Sequence, residues 1–265
     1  MAMRHKKLDQ NMSGLRLYNR VAGILHLVQA VGLGTLLALV ENQFLYSVNR
    51  AFPLSAGAAG AENGAIELFS INFGLGLVFA LALSASFHFL ISSRFFFDRY
   101  SRGLRLNRNN FRWTEYSINA SVLLFLAAQM SGISNVVSLV AIFGLSTSMV
   151  LFCALQEKYE QPGSGGFLPF IFASLFGFIS WVIIGTGFVA TENSTSAAGS
   201  FASQAAALLF AFFLAFGINQ FFQSKRIGRW KDYLRGERMF IFLSLLSKTG
   251  LVYLLMDVLL LPQLI

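Results

Sequence analysis

Acidic residues, histidine, proline and cysteine are all scarce in this chain of 265 residues: twelve Asp and Glu, three His, four Pro and one Cys. One cysteine excludes a disulfide scaffold, and four prolines exclude a collagen-like or Pro-rich chain. Charged residues make up 12% of the chain, against about 25% in a typical soluble domain. Hydrophobic residues make up 55%, and the mean hydropathy is +0.63. This composition argues against an ordinary soluble globule and excludes a disordered chain. A polytopic all-α membrane protein remains.

A bilayer-spanning helix needs about 20 mostly apolar residues. Seven stretches meet that need, approximately 16–40, 67–93, 111–130, 134–155, 167–190, 203–223 and 238–260, and form one domain over 1–265. Turn chemistry separates them: Pro53 with Gly57 and Gly60, Ser131-Gly132, Pro162 to Gly166, and Thr191 to Gly199. The third and fourth spans leave room only for a tight antiparallel hairpin. In the long first connection, Gln43 to Phe52 is expected to form a short strand pair. The charged N-terminus and the length of the first span argue against a cleaved signal peptide, so that span is expected to be permanent.

Charge sets the direction. Eighteen of the twenty Lys and Arg fall on one side of the alternating spans, in the tail, the second-to-third, fourth-to-fifth and sixth-to-seventh loops and their flanks. The other side holds only Arg50. The positive-inside rule then predicts a multi-pass protein of the cell membrane with a cytoplasmic N-terminus and an extracellular C-terminus.

The twentieth basic residue, Lys248, lies about ten residues into the seventh span, roughly 15 Å from its start. A cation at that depth needs a carboxylate partner, deprotonation or covalent chemistry. Glu115, on the third span, is the one carboxylate placed away from a span's ends. Its expected partner is Lys248, with Arg112 at i, i+3 as the alternative. This pairing suits a protonated Schiff base and its counterion, with the lysine carrying an aldehyde chromophore; a simple packing ion pair is the alternative.

Ser244 stands one turn before Lys248. Asn119 stands one turn beyond Glu115. Ser84 and His88 are i, i+4 on the second span, and His26 and Gln29 share a face of the first. The two histidines and Glu115 fall in the cytoplasmic half, where they suit a proton-accepting network or plain packing. Phe212, Phe213 and Phe216 on the sixth span and Trp181 on the fifth are candidates to wall a polyene. No metal site is expected, with Cys153 alone on its span. No nucleophile, base and oxyanion set marks an enzyme.

Several stretches together resemble the heliorhodopsins, the inverted branch of the microbial retinal proteins, over essentially the whole chain. They are Ser84 to Phe89 (Ser-Ala-Ser-Phe-His-Phe), Arg112-Trp113-Thr114-Glu115-Tyr116-Ser117, Gln156-Glu157-Lys158-Tyr159, Tyr233 to Arg238 and Ser244 to Lys248. The resemblance implies all-trans retinal on Lys248 with Glu115 as counterion and Ser84 and Ser244 as neighbours of the Schiff base. Asn119, Tyr116, Trp181 and Phe213 then belong to the chromophore's surroundings, and His26 and His88 to a cytoplasmic-side proton-accepting network. It further implies a homodimer, a slow photocycle, and light sensing or regulation through a soluble cytoplasmic partner such as glutamine synthetase. The chain departs from its relatives after Tyr116, where Ser-Ile-Asn-Ala-Ser replaces a more serine-rich stretch.

The residues themselves argue against pumping. Every ionisable partner of Lys248 lies on the cytoplasmic side, and none follows it until Asp257. A proton leaving inward returns from the same side. A light-driven proton pump or channel, and a retinal-free membrane scaffold or transporter, are the alternatives.

Overall fold

The computed structural model describes residues 2–40, 44–51, 65–160, 162–163, 165–190 and 197–260. Eight α-helices and one hairpin follow in order: α1 Ala2–Leu39, β1 Leu45–Ala51, β2 Ala65–Asn72, α2 Phe73–Ser92, α3 Phe97–Arg105, α4 Asn110–Met130, α5 Val136–Tyr159, α6 Leu168–Ala190, α7 Ala197–Lys225 and α8 Tyr233–Leu260. A short 3-10 turn, Gly228–Lys231, joins α7 to α8.

Six of these helices are long and apolar enough to cross a membrane: those over Met12–Leu39, Phe73–Ser92, Val136–Tyr159, Leu168–Val189, Gly199–Lys225 and Tyr233–Leu260. Large apolar side chains such as Val28, Val137, Val140 and Phe178 point outward from them, as lipid-facing residues do. The helix α4 is not among the six. Its first half carries Arg112, Thr114, Glu115, Ser117 and Asn119, which lower its hydropathy. It packs against α2, α5, α6 and α7, so polar groups on it meet protein on several sides.

The second stretch predicted as a span, 67–93, begins too early. Residues 65–72 form β2, and the helix starts only at Phe73. Asn72 ends the strand and caps the helix, its side chain accepting from the Leu75 amide at 3.0 Å. Leu45–Ala51 is indeed a strand, but it does not pair within Gln43 to Phe52. Its antiparallel partner is β2, from Leu45 opposite Asn72 to Ala51 opposite Ala65. Gln43 and Phe52 lie outside the described residues.

The hairpin is stitched to the turn between α4 and α5. The Asn49 amide donates to Ser134 O at 2.8 Å and its side chain to Ser134 Oγ at 3.2 Å. That turn is as tight as expected; Gly132 takes a φ of +89°, which suits glycine. Asn135 then caps α5, accepting from Val137 N at 2.9 Å and Ser138 N at 3.2 Å. Asn135→Ala is expected to cost about 1 kcal/mol, read as a lower unfolding midpoint in detergent.

A large apolar core fills the half of the bundle nearest the hairpin, centred on Leu33, Phe73, Leu77, Leu126, Ile142, Phe201, Leu251 and Leu255. The other half is held differently. There α3 buries Tyr100 and Leu104 and turns Arg99, Arg102 and Arg105 outward. Arg16 ties α1 to this corner, donating from Nε to Ser92 O at 2.9 Å and lying over the Phe97 ring.

Candidate functional site

The polar side chains of the bundle interior gather between the apolar core and the basic end. Lys248 is 3% exposed, and its ammonium donates to Ser244 Oγ at 2.8 Å, one turn back on α8. Glu115 is 5% exposed. Its Oε1 accepts from Ser84 Oγ at 2.6 Å and from Asn119 Nδ2 at 3.3 Å. Asn119 also donates to Ser84 Oγ at 2.8 Å and to Ala80 O at 3.1 Å, which locks α4 to α2 at this level. Among the described residues no carboxylate lies within 4 Å of the Lys248 ammonium. The expected pair is therefore separated, each partner held by its own hydroxyl. The alternative pair does not form either, because Arg112 turns to Glu157 and Glu237.

Both histidines are buried. Their rings stack at 5.6 Å with 10° between planes. His88 Nδ1 meets Asn19 Oδ1 at 2.8 Å, and Asn19 Nδ2 in turn donates to Leu15 O at 2.9 Å. An amide oxygen only accepts, so this contact takes a proton on His88 Nδ1 and leaves Nε2 outside it. Neither His88 Nε2 nor either His26 nitrogen has a partner among the described residues. Buried polar atoms of this kind are normally satisfied by water. Gln29, on the same helix as His26, donates to Thr249 Oγ1 at 2.6 Å, beside Lys248.

On the other side of Lys248 a cavity of about 160 Å³ opens between α4, α5, α6, α7 and α8. Its walls are largely aromatic and apolar: Trp113, Tyr116, Phe212, Phe213, Phe216 and Phe240. Asn119, Ser244 and Lys248 reach it too. Tyr116 is fixed by donating its hydroxyl to Phe240 O at 3.0 Å. Trp181 stands further back, with its ring against Phe210 and Phe213 at 5.1 and 5.9 Å. Gly177 lets α6 approach closely here; a Cβ on it would lie 2.6 Å from the Phe213 ring.

One cluster escapes a reading of the sequence. Arg112 Nη2 meets Glu157 Oε1 at 2.6 Å, and its Nη1 bonds Glu237 Oε1. Glu157 also accepts from Tyr233 OH at 2.6 Å, Trp113 Nε1 at 2.6 Å and Asn109 N at 2.8 Å. Glu237 accepts from Asn109 Nδ2 at 2.6 Å and Gln223 Nε2 at 3.3 Å. The guanidinium lies over the Trp113 and Phe240 rings at 4.3 and 4.0 Å. Glu157 and Glu237 fall just outside the predicted spans, which stop at 155 and begin at 238. The helices run past them, and the signal was the pair of acids bracketing two otherwise apolar runs.

The fold is that of the microbial rhodopsins. It matches the thermophilic rhodopsin from Rubrobacter xylanophilus with a TM-score of 0.66 and 13% identity, over 92% of this chain and 95% of that one. It matches cyanorhodopsin N4075R from Tolypothrix sp. NIES-4075 with a TM-score of 0.64 and 12% identity, over 91% and 92%. Cyanorhodopsin N2098R from Calothrix sp. NIES-2098 gives 0.62 and 11%, over 92% and 93%. Curated protein sequences yield no match. The family is settled by the sequence itself: residues 15–259 match the Heliorhodopsin model, nearly the full length that carries Lys248, Glu115 and both histidines, and the chain belongs to the heliorhodopsin family.

Proposed function

We propose that the protein is a retinal photoreceptor of the cell membrane that signals without net ion transport. The observation that carries this is Lys248, buried at the edge of an aromatic cavity with a carboxylate network on its other side. The family implies retinal, and the residues fit it: a primary amine to bind an aldehyde, apolar rings to wall a polyene, and a negative charge nearby. Retinal, in the all-trans form, would be held on Lys248 as a protonated Schiff base and would supply the absorption of visible light.

The chain's own residues do the rest. Glu115 balances the positive charge at the Lys248 nitrogen, and Ser84 and Asn119 hold that carboxylate in place. Ser244 orients the nitrogen. Phe213, backed by Trp181, and Tyr116 wall the cavity. His88 offers a lone pair at Nε2 for a proton released on this side, with His26 stacked beside it. In this reading α4 is the third span and brings the six to seven, and the basic end of the bundle faces the cytoplasm, which sets the N-terminus inside. A proton accepted on the cytoplasmic side returns from that side, so a slow cycle closes without transport. The family further suggests a homodimer and a soluble cytoplasmic partner, which would meet the exposed arginines of α3.

The test is the visible spectrum of the chain expressed with all-trans retinal, beside that of Glu115→Gln. A negative charge beside the nitrogen stabilises the ground state, whose positive charge is localised there, more than the excited state. Glu115→Gln is therefore expected to shift the band to the red. A well-folded wild type with no visible band would discard the photoreceptor reading and leave a retinal-free scaffold or transporter.

A further inference from the structure

The cluster around Arg112 is not neutral. One guanidinium meets two carboxylates, and among the described residues Arg112 is the one cation ion-paired to either. All three side chains are at most 5% exposed. An uncompensated negative charge in so dry a place is costly, and one added proton removes it.

A second cavity of about 20 Å³ joins this cluster to the chromophore side. It is lined by His88, Tyr100, Arg112, Glu115, Tyr116 and Glu237, among others. A cavity that holds one water needs about 10–15 Å³ and two to four polar partners. Partners are present: His88 Nε2 and Arg112 Nε are both buried with no bonded neighbour among the described residues, and both residues line the cavity. Tyr100, on α3, is another. Burial pushes its phenol up to about 12, against the opposing effects of the Asn19 hydrogen bond and Arg112, so it keeps its proton. Of the two acids only Glu237 borders this space. Glu157 faces away, with four donors on it.

We infer that Glu237 is the terminal proton acceptor of the site. The inference rests on the retinal reading above and extends it by one residue. The Lys248 nitrogen gives up one proton and one positive charge. The proton passes the Glu115 and His88 level, crosses the small cavity and is held on Glu237, whose carboxylate becomes a neutral acid. The cluster goes from one excess negative charge to none. The return step reverses each change, so no ion crosses the membrane.

The experiment is a light-minus-dark infrared difference spectrum of the full chain loaded with all-trans retinal, in H₂O and D₂O. The expected result is a carboxylic acid carbonyl band that appears in the light and moves down in D₂O. It is lost in Glu237→Gln, displaced in Glu237→Asp and weakened in Glu157→Gln, which removes the cluster's excess charge but not the accepting acid. A band unmoved by either Glu237 substitution, or a wild type that forms no such band while its visible absorption cycles, overturns the inference and leaves the photoreceptor intact. A wild type with no visible absorption would overturn the retinal reading instead, so the two failures are told apart. Each variant's visible band, recorded first, reports that it has folded.

Discussion

Lys248→Ala is expected to abolish the visible band altogether. Wild type incubated with all-trans retinal should show a band that hydroxylamine bleaches; the variant should show only the absorption of free retinal. The effect is total because, among the described residues, Lys248 is the one lysine that lines the cavity. Lys158, Lys225 and Lys231 belong to the basic end. Lys248→Arg sharpens the test. It keeps the positive charge that Glu115 balances, but a guanidinium stays protonated and does not condense with an aldehyde under these conditions. Loss of the band in both variants assigns it to the amine. A band surviving in either would place the chromophore elsewhere.

Arg112→Gln is expected to be the most destabilising single change in the bundle. Breaking a buried ion pair by removing one partner costs about 3–5 kcal/mol, because the other charge stays buried without compensation. Here two carboxylates are left, and the variant also loses the stacking of the guanidinium on Trp113 and Phe240. The measurement is the thermal unfolding midpoint in detergent, followed by circular dichroism. The triple variant Arg112→Met, Glu157→Gln, Glu237→Gln should recover much of the loss, since it removes the stranded charges as well. If the single and triple variants unfold alike, the cost is one of packing and not of charge.

Much of the site could be read without a structure because membrane interiors tolerate so few charges. Lys248 and Glu115 stand out in apolar runs for that reason, and His26, His88, Ser84 and Ser244 follow from helical spacing around them. The same logic failed at the ends of the spans. Hydropathy stops a span at the first charge, so Glu157 and Glu237 fell outside, although the helices continue and Arg112 draws both acids into the interior. It also failed at residues 67–72, where an apolar strand and an apolar helix have the same hydropathy. Asn72 was the discriminating residue, a helix cap sitting inside the supposed span. The short helix α3 was read as loop because its arginines outweigh the buried Tyr100 and Leu104. Spacing could not show that Ser84 and Asn119 hold Glu115 apart from Lys248, because that depends on which side chain reaches first.

The stitch between the hairpin and the α4–α5 turn makes the bundle mechanically lopsided. One end is tied by one backbone and one side-chain bond from Asn49 to Ser134 and backed by the large apolar core. The opposite end has a backbone tie of its own, from Gly163 N to Ser224 O at 2.9 Å, but its interior rests on the buried Arg112 cluster with a small cavity beside it. If light acts at Lys248 as proposed, the end nearest the hairpin is expected to move less than the end where α3 displays its arginines, a difference that hydrogen exchange in light and dark would read.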